Sequence, residues 1–367
     1  MAYPVLEAMG MKVVRWERSA SDRPGLPPPA PWPEATPESV GLDGAALDAL
    51  AQRIERGEIA NIHSVLVVRD GKLAFERYFT GTDALWAQPL GTVAFGPETL
   101  HDLRSVTKSV VGALVGIAHG AGAIPDLDAP LASFFPKHAK GREQDLAGRT
   151  LRHALTMTAG LAWDELTHPY WDPRNDENGL WSASDPLDYA LSRKPVAPGG
   201  ERFAYNGGMP TVLASVVERA TGQPLDVFAR ERLLCPLGVT RMEWLQHGSG
   251  LFVAASGMRL VPRDFARFGQ LMLDDGRFAG RQIVPAEHAR DSLSARVSTG
   301  GRGFPPGYGY QWWIAHLPVA SGNGGQRVLA DRERRMVVVI TAGLYDSPAQ
   351  VEGPMRVYEA VMGAASA

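Results

Sequence analysis

SVTKSVVGALVGIAHG, residues 105–120, is the stretch on which the fold of this chain turns. It opens with Ser105 and Lys108 three positions apart. Val106, Val110, Val111, Leu114 and Val115 follow at helical spacing and suit burial. At the start of a helix, positions i and i+3 share a face, so the Lys108 amine can reach the Ser105 hydroxyl. The first-turn N–H groups and the helix dipole point at the same spot and favour a developing negative charge there. A lysine buried beside such a helix loses part of its preference for charge and fits the part of a base. The chain has nineteen serines and six lysines, and this spacing occurs once. A serine N-cap followed by a solvated lysine would produce the same letters, so the surroundings must decide.

Outward from this helix the pattern divides. Upstream, NIHSVLVVRDGKLAFERYF (61–79) reads as strand, turn and strand. Val65 and Val67 face Leu73 and Phe75 across Asp70-Gly71. Before it, residues 39–57 place Leu47, Leu50 and Ile54 on one helical face, with Gly57 as the stop. Downstream, 150–158, 209–221 and 262–274 read as helices. Toward the C-terminus, 308–315, 325–329 and 336–342 read as strands and 349–364 as a helix. Both chain ends thus supply strands, which predicts an α/β (α+β) protein with an antiparallel sheet flanked by helices and an inserted all-helical lobe. The expected division is a discontinuous α/β lobe, 39–100 with 298–367, and a mainly helical lobe, 101–297, holding Ser105, Lys108 and Tyr205. Residues 1–38 form a proline-rich N-terminal arm. Seven prolines between 24 and 37 favour extended polyproline, as a passive leader or a strap pinned by Trp32.

The 367 residues are 45% hydrophobic and 21% charged with net charge −3, which suits a globular protein and offers no basic field for nucleic acid. The lone Cys235 excludes an internal disulfide and reads as a small hydrophobe before Pro236. No secretory signal or membrane span is visible, so a soluble, cytoplasmic protein is expected. HExxH, Walker A, GxGxxG and GxSxG are all absent, and the nine histidines lack ligand spacing. No metal and no cofactor is expected. Asp126 and Asp128 lack the glycine and glutamate of a calcium loop.

The loop GLAWDELTHPYWDPRNDENGLW, residues 160–181, gathers Trp163, Tyr170, Trp171 and Trp181 with Asp164, Glu165, Asp172, Asp176 and Glu177. Aromatic walls with carboxylates suit a substrate with an apolar chain and a positive end.

Further segments carry a family likeness: HDLRSVTKSVVGALVGIA, TLRHALTMTAGLAWDE, PGGERFAYNGG, VPRDFARFGQLMLDDGRFAGRQIVP and SGNGGQRV. In this order, over about residues 61–345, the chain resembles the penicillin-recognising serine hydrolases. These include class C β-lactamases, DD-peptidases and their esterase and amidase relatives. It is most similar to the 6-aminohexanoate-dimer hydrolase-like branch. The resemblance implies the β-lactamase/DD-peptidase fold, an acyl-enzyme on Ser105, Lys108 as the neighbouring base, and Tyr205 as the proton shuttle. It implies an oxyanion hole from the backbone N–H groups of Ser105 and Gln326. Substrate contacts would come from Asn206, Asn323, Gly324, Gly325, Trp163, Asp164, Tyr170 and Trp171. Two departures stand out. The family's Tyr-x-Asn is here Tyr205-Asn206-Gly207, and its Lys-Thr-Gly is Asn323-Gly324-Gly325, which lacks the cation that grips a β-lactam carboxylate. The implied reaction is hydrolysis of a small ester or linear amide, 6-aminohexanoate oligomers among them. The alternatives are a DD-peptidase, a weak β-lactamase, or a binding or regulatory protein that keeps the fold. The expected partner is a small molecule, not nucleic acid or membrane, and a homo-oligomer is compatible with the sequence.

Overall fold

The computed structural model of the chain describes residues 3–19, 32–301 and 303–365. Its largest element is an eight-stranded antiparallel sheet. The strand order is Val297–Ser298, Gly307–Tyr308, Trp313–Ile314, Pro318–Gly322, Gln326–Asp331, Met336–Ala342, Ile62–Arg69 and Lys72–Tyr78. The two chain ends therefore meet in one sheet. MVVVITA (336–342) is apolar at almost every position because both faces of this central strand are covered. Val337 and Val339 join the core shared with the helix Pro262–Leu273. Val338 and Ile340 join the core made with Leu47, Leu50 and Ile54 of Gly44–Glu55 and Val357 and Val361 of Ala349–Ala364. The mixed fold with an antiparallel sheet agrees with the sequence reading.

Residues 101–297 contain the expected helices Val106–Gly120, Leu151–Leu155, Gly208–Thr221 and Pro262–Leu273. Strands run among them. Met11–Glu17, Arg241–His247, Met258–Leu260 and His101–Asp102 form a second antiparallel sheet. The stretch expected as an arm thus supplies a helix, Pro4–Ala8, and an edge strand anchored by buried Met11 and Trp16. Residues 24–31 of the proline run lie outside the described residues. Trp32 is buried and donates its indole N–H to Gly71 O at 2.9 Å. The expected strand 308–315 is interrupted. Gln311 takes a left-handed backbone, φ 63°, and its carbonyl accepts the Ser109 hydroxyl at 2.6 Å, so the chain bends onto the helix Val106–Gly120. Among the described residues no helix is long and apolar enough to cross a membrane.

Candidate active site

Ser105 sits between the short strand His101–Asp102 and the helix Val106–Gly120. Arg104 makes the turn in a left-handed conformation, φ 48°, which is unfavourable for a residue with a Cβ. Four contacts hold it there. Its guanidinium pairs with Asp102 at 3.1 Å, donates to Ala84 O and Trp86 O at 3.3 and 3.2 Å, and covers the Tyr345 ring at 4.4 Å.

Lys108 lies one turn on and is 1% exposed. Its Nζ donates to Ser105 Oγ at 3.0 Å and to Ala255 O at 3.1 Å, and stands 4.9 Å from the centre of the Tyr205 ring. The Tyr205 phenol lies close enough to Ser105 and Lys108 for both to act on its ionisation. Tyr205 immediately precedes the helix Gly208–Thr221, which packs on the Ser105 helix, and Trp313 of the large sheet stacks on its ring at 5.1 Å. A hydroxyl, an amine and a phenol from two helix starts therefore meet beside the large sheet.

The charge state of the pair differs from the sequence expectation. Burial alone would push the Lys108 amine down, but Tyr205, Glu177 and Glu165 outweigh it and hold it above its ordinary value. Burial pushes the Tyr205 phenol up, against the pull of Lys108. Both groups are thus held above their ordinary values. Two acids of the 160–181 loop act on the pair. Glu165 Oε2 accepts from Trp163 Nε1 at 2.6 Å and from Gly207 N at 2.5 Å, while Glu177 Oε1 accepts from Ser256 Oγ at 3.2 Å and from Trp181 Nε1 at 3.4 Å. Both crowd against Gly207, where a Cβ would lie 2.0 Å from Glu177 Oε2 and 2.9 Å from Glu165 Oε2.

The loop's other carboxylates are engaged by neighbouring groups of the chain, whereas the sequence reading set them against a positive substrate end. Asp164 accepts from Leu166 N and Thr167 N of its own turn at 3.3 and 3.1 Å. Asp172 pairs with Arg174 at 2.6 Å, and Asp176 binds Tyr189 at 2.9 Å and Arg193 at 3.3 Å. Trp163 is spent on Glu165. Tyr170 is half-buried within electrostatic reach of Glu165, Glu177 and Tyr205. Trp171 is 75% exposed. The two inward glutamates were in the quoted loop, but nothing in the spacing separates them from their three acidic neighbours.

The third segment lies in a hairpin of the large sheet. Gln326 pairs with Gly322 across a hairpin, and its buried side chain is tied to Ala342, donating to O at 2.7 Å and accepting from N at 3.1 Å. It belongs to the sheet interior. The residue that meets the Ser105 turn is Gly322, where a Cβ would lie 2.5 Å from Leu103 O and 3.0 Å from Arg104 Cβ. Asn323 follows, and among the described residues its backbone N–H has no acceptor. Its side chain is bound both ways to Asp346, at 2.7 and 3.0 Å. Gly324 and Gly325, with φ of 88° and 103°, make the turn itself. Asn206 is 3% exposed, and its side-chain oxygen accepts from Gly208 N at 2.8 Å and Met209 N at 3.2 Å. It caps a helix, as an asparagine there can.

One consequence concerns stability. Burial and the charge of Glu177 raise the Glu165 carboxyl from its ordinary 4.5 to about 8. Between those limits the folded chain keeps a proton that the unfolded chain has released. Stability therefore falls as pH rises through this window. Glutamine at 165 keeps an acceptor for Trp163 and Gly207 but has no proton to lose. Calorimetric Tm of Glu165→Gln should decline less than wild type between about pH 5 and pH 8. Parallel Tm profiles would show that Glu165 is not the titrating group.

Comparison with known proteins agrees with the fold. The chain is 28% identical over 321 residues to 6-aminohexanoate-dimer hydrolase of Paenarthrobacter ureafaciens, covering 80% of this chain and 76% of that one. It is 31% identical over 222 residues to Esterase EstB of Burkholderia gladioli, covering 55% and 53%. The structure of an octameric penicillin-binding protein homologue from Pyrococcus abyssi matches with a TM-score of 0.64 and 18% identity, over 87% of this chain and 77% of that one. Residues 49–361 match the family described as Beta-lactamase, and the chain belongs to that family of hydrolases.

Proposed function

We propose that the protein is a serine hydrolase of small carboxylic esters or linear amides, acting through an acyl-enzyme on Ser105. The observation that carries the reading is the convergence of Ser105, Lys108 and Tyr205, with Lys108 Nζ 3.0 Å from Ser105 Oγ. Ser105 Oγ attacks the substrate carbonyl, and its proton passes through the Lys108–Tyr205 pair to the leaving alcohol or amine. Water, deprotonated by the same pair, then releases the acid and restores the hydroxyl. The Ser105 N–H and the free Asn323 N–H are the donors proposed for the tetrahedral oxyanion. The internal engagement of the loop carboxylates favours an uncharged acyl chain over an ω-ammonium one. The missing cation in Asn323-Gly324-Gly325 disfavours β-lactams. The relatives named 6-aminohexanoate-dimer hydrolase and Esterase EstB support a hydrolase reading.

The test is covalent. Intact-mass spectrometry after exposure to a fluorophosphonate should show one adduct, which peptide mapping assigns to Ser105. An unlabelled chain, or a label mapped elsewhere, would sink the proposal.

A further inference from the structure

A second cluster of chemical groups lies beneath the nucleophile turn, away from Lys108 and Tyr205. His63 comes from the strand Ile62–Arg69, Asp83 from Thr80–Leu85 and His101 from His101–Asp102. One ligand atom from each lies within 4.8 Å of the other two, and all three residues are buried: both histidines are 0% exposed and Asp83 is 7% exposed. Sequence spacing gave no sign of this group, because its members are brought together by three separate strands.

The hydrogen bonds around it leave a proton-count conflict. Asn61 Nδ2 donates to Thr82 O at 3.0 Å and Gly343 O at 2.9 Å, and Asn61 Oδ1 accepts from Thr82 N at 2.9 Å, which fixes the amide's orientation. His63 Nε2, 3.2 Å from that oxygen, must carry its ring proton there. His101 Nδ1 lies 3.1 Å from the Asp102 carbonyl and must carry its proton there. Two neutral imidazoles have no protons left. Yet the inner nitrogens, His63 Nδ1 and His101 Nε2, face each other at 2.8 Å. Two lone pairs at that distance repel unless something positive lies between them. Beside them, Asp83 Oδ1 accepts from Tyr345 at 2.7 Å while Oδ2 is buried without a partner.

We propose that His63 Nδ1, His101 Nε2 and a carboxylate oxygen of Asp83 bind a divalent transition-metal cation of the zinc class. Two imidazoles and a carboxylate are a familiar donor set for such ions, with a fourth position left for water. The outer shell is already built: Asn61 and the Asp102 carbonyl orient the rings, and Tyr345 orients the carboxylate. Phe95 stacks on the His63 ring at 4.0 Å and fixes its plane. Ligand bonds of about 2.0–2.2 Å require the two nitrogens to part by about half an ångström and Asp83 to swing inward. The cluster reaches Ser105 through Tyr345, whose ring lies under Arg104. A cation there steadies the left-handed turn that presents the nucleophile.

The probe is Co²⁺, added to the full chain after EDTA treatment. The expected result is uptake of about one ion per chain, with visible d–d absorption and a rise in Tm. Asp83→Asn, which keeps the acceptor for Tyr345, and His101→Gln should each weaken uptake by at least about tenfold. Absence of uptake by the wild type would mean that the buried pair holds a proton instead, and would overturn the proposal. So would equal uptake by wild type and both variants.

Discussion

Ser105→Ala is expected to fold as wild type and to lower kcat for p-nitrophenyl butyrate by about 10⁴-fold or more. The hydroxyl removed is half-buried at a helix start and fills no core space, and Lys108 keeps its bond to Ala255 O. Little stability is at stake, so a large loss can be assigned to chemistry. Without the nucleophile, Lys108 and Tyr205 can only assist direct attack by water, which forgoes the intramolecular advantage of a positioned hydroxyl. The neighbouring serine offers no substitute. Ser109 is 2% exposed and its hydroxyl is donated to Gln311 O at 2.6 Å. Thermal melts and steady-state esterase assays on matched preparations make the comparison. A variant with more than about a tenth of the wild-type kcat would place the nucleophile elsewhere.

Much of this architecture was legible in the sequence because it rests on periodicity. The hairpin around Asp70-Gly71, the doubly covered strand 336–342 and the apolar face behind Ser105 each state their environment in a few letters. The likeness to a family pointed to Tyr205, which no local pattern marks, and the fold sets its ring beside Lys108. What stayed hidden depends on tertiary approach. Glu165 and Asp164 are adjacent and both acidic, yet one turns beneath Lys108 and the other caps its own turn. Gly322 rather than Gln326 meets the Ser105 turn because the hairpin closes there and packs on Leu103 and Arg104. The Met11–Glu17 strand was masked by its distance from Arg241–His247, with which it pairs.

The same approach of distant groups reverses the expected character of Lys108, and this yields the second large effect. Lys108→Met should lower kcat/KM for the same ester by about 10³-fold and slow labelling of Ser105 by a fluorophosphonate. Methionine matches the lysine stem in length and suits a buried position, so the change removes the amine with little loss of packing. The amine is needed in two states. As an ammonium it donates to Ser105 Oγ and favours the alkoxide. To accept the proton that leaves, the Lys108–Tyr205 pair must first have lost one, and both groups are held above their ordinary values. Competent enzyme is therefore scarce at neutral pH and grows more common as pH rises. Wild-type kcat/KM should climb through the alkaline range until the fold fails, whereas the residual rate of Lys108→Met should follow hydroxide alone. Lys108→Arg should not rescue activity, because a guanidinium does not give up its proton in this range and its planar fork does not fit the single Ser105 contact. Activity of Lys108→Met within about threefold of wild type, or rescue by arginine, would show that the amine only fills space and that Tyr205 acts without it.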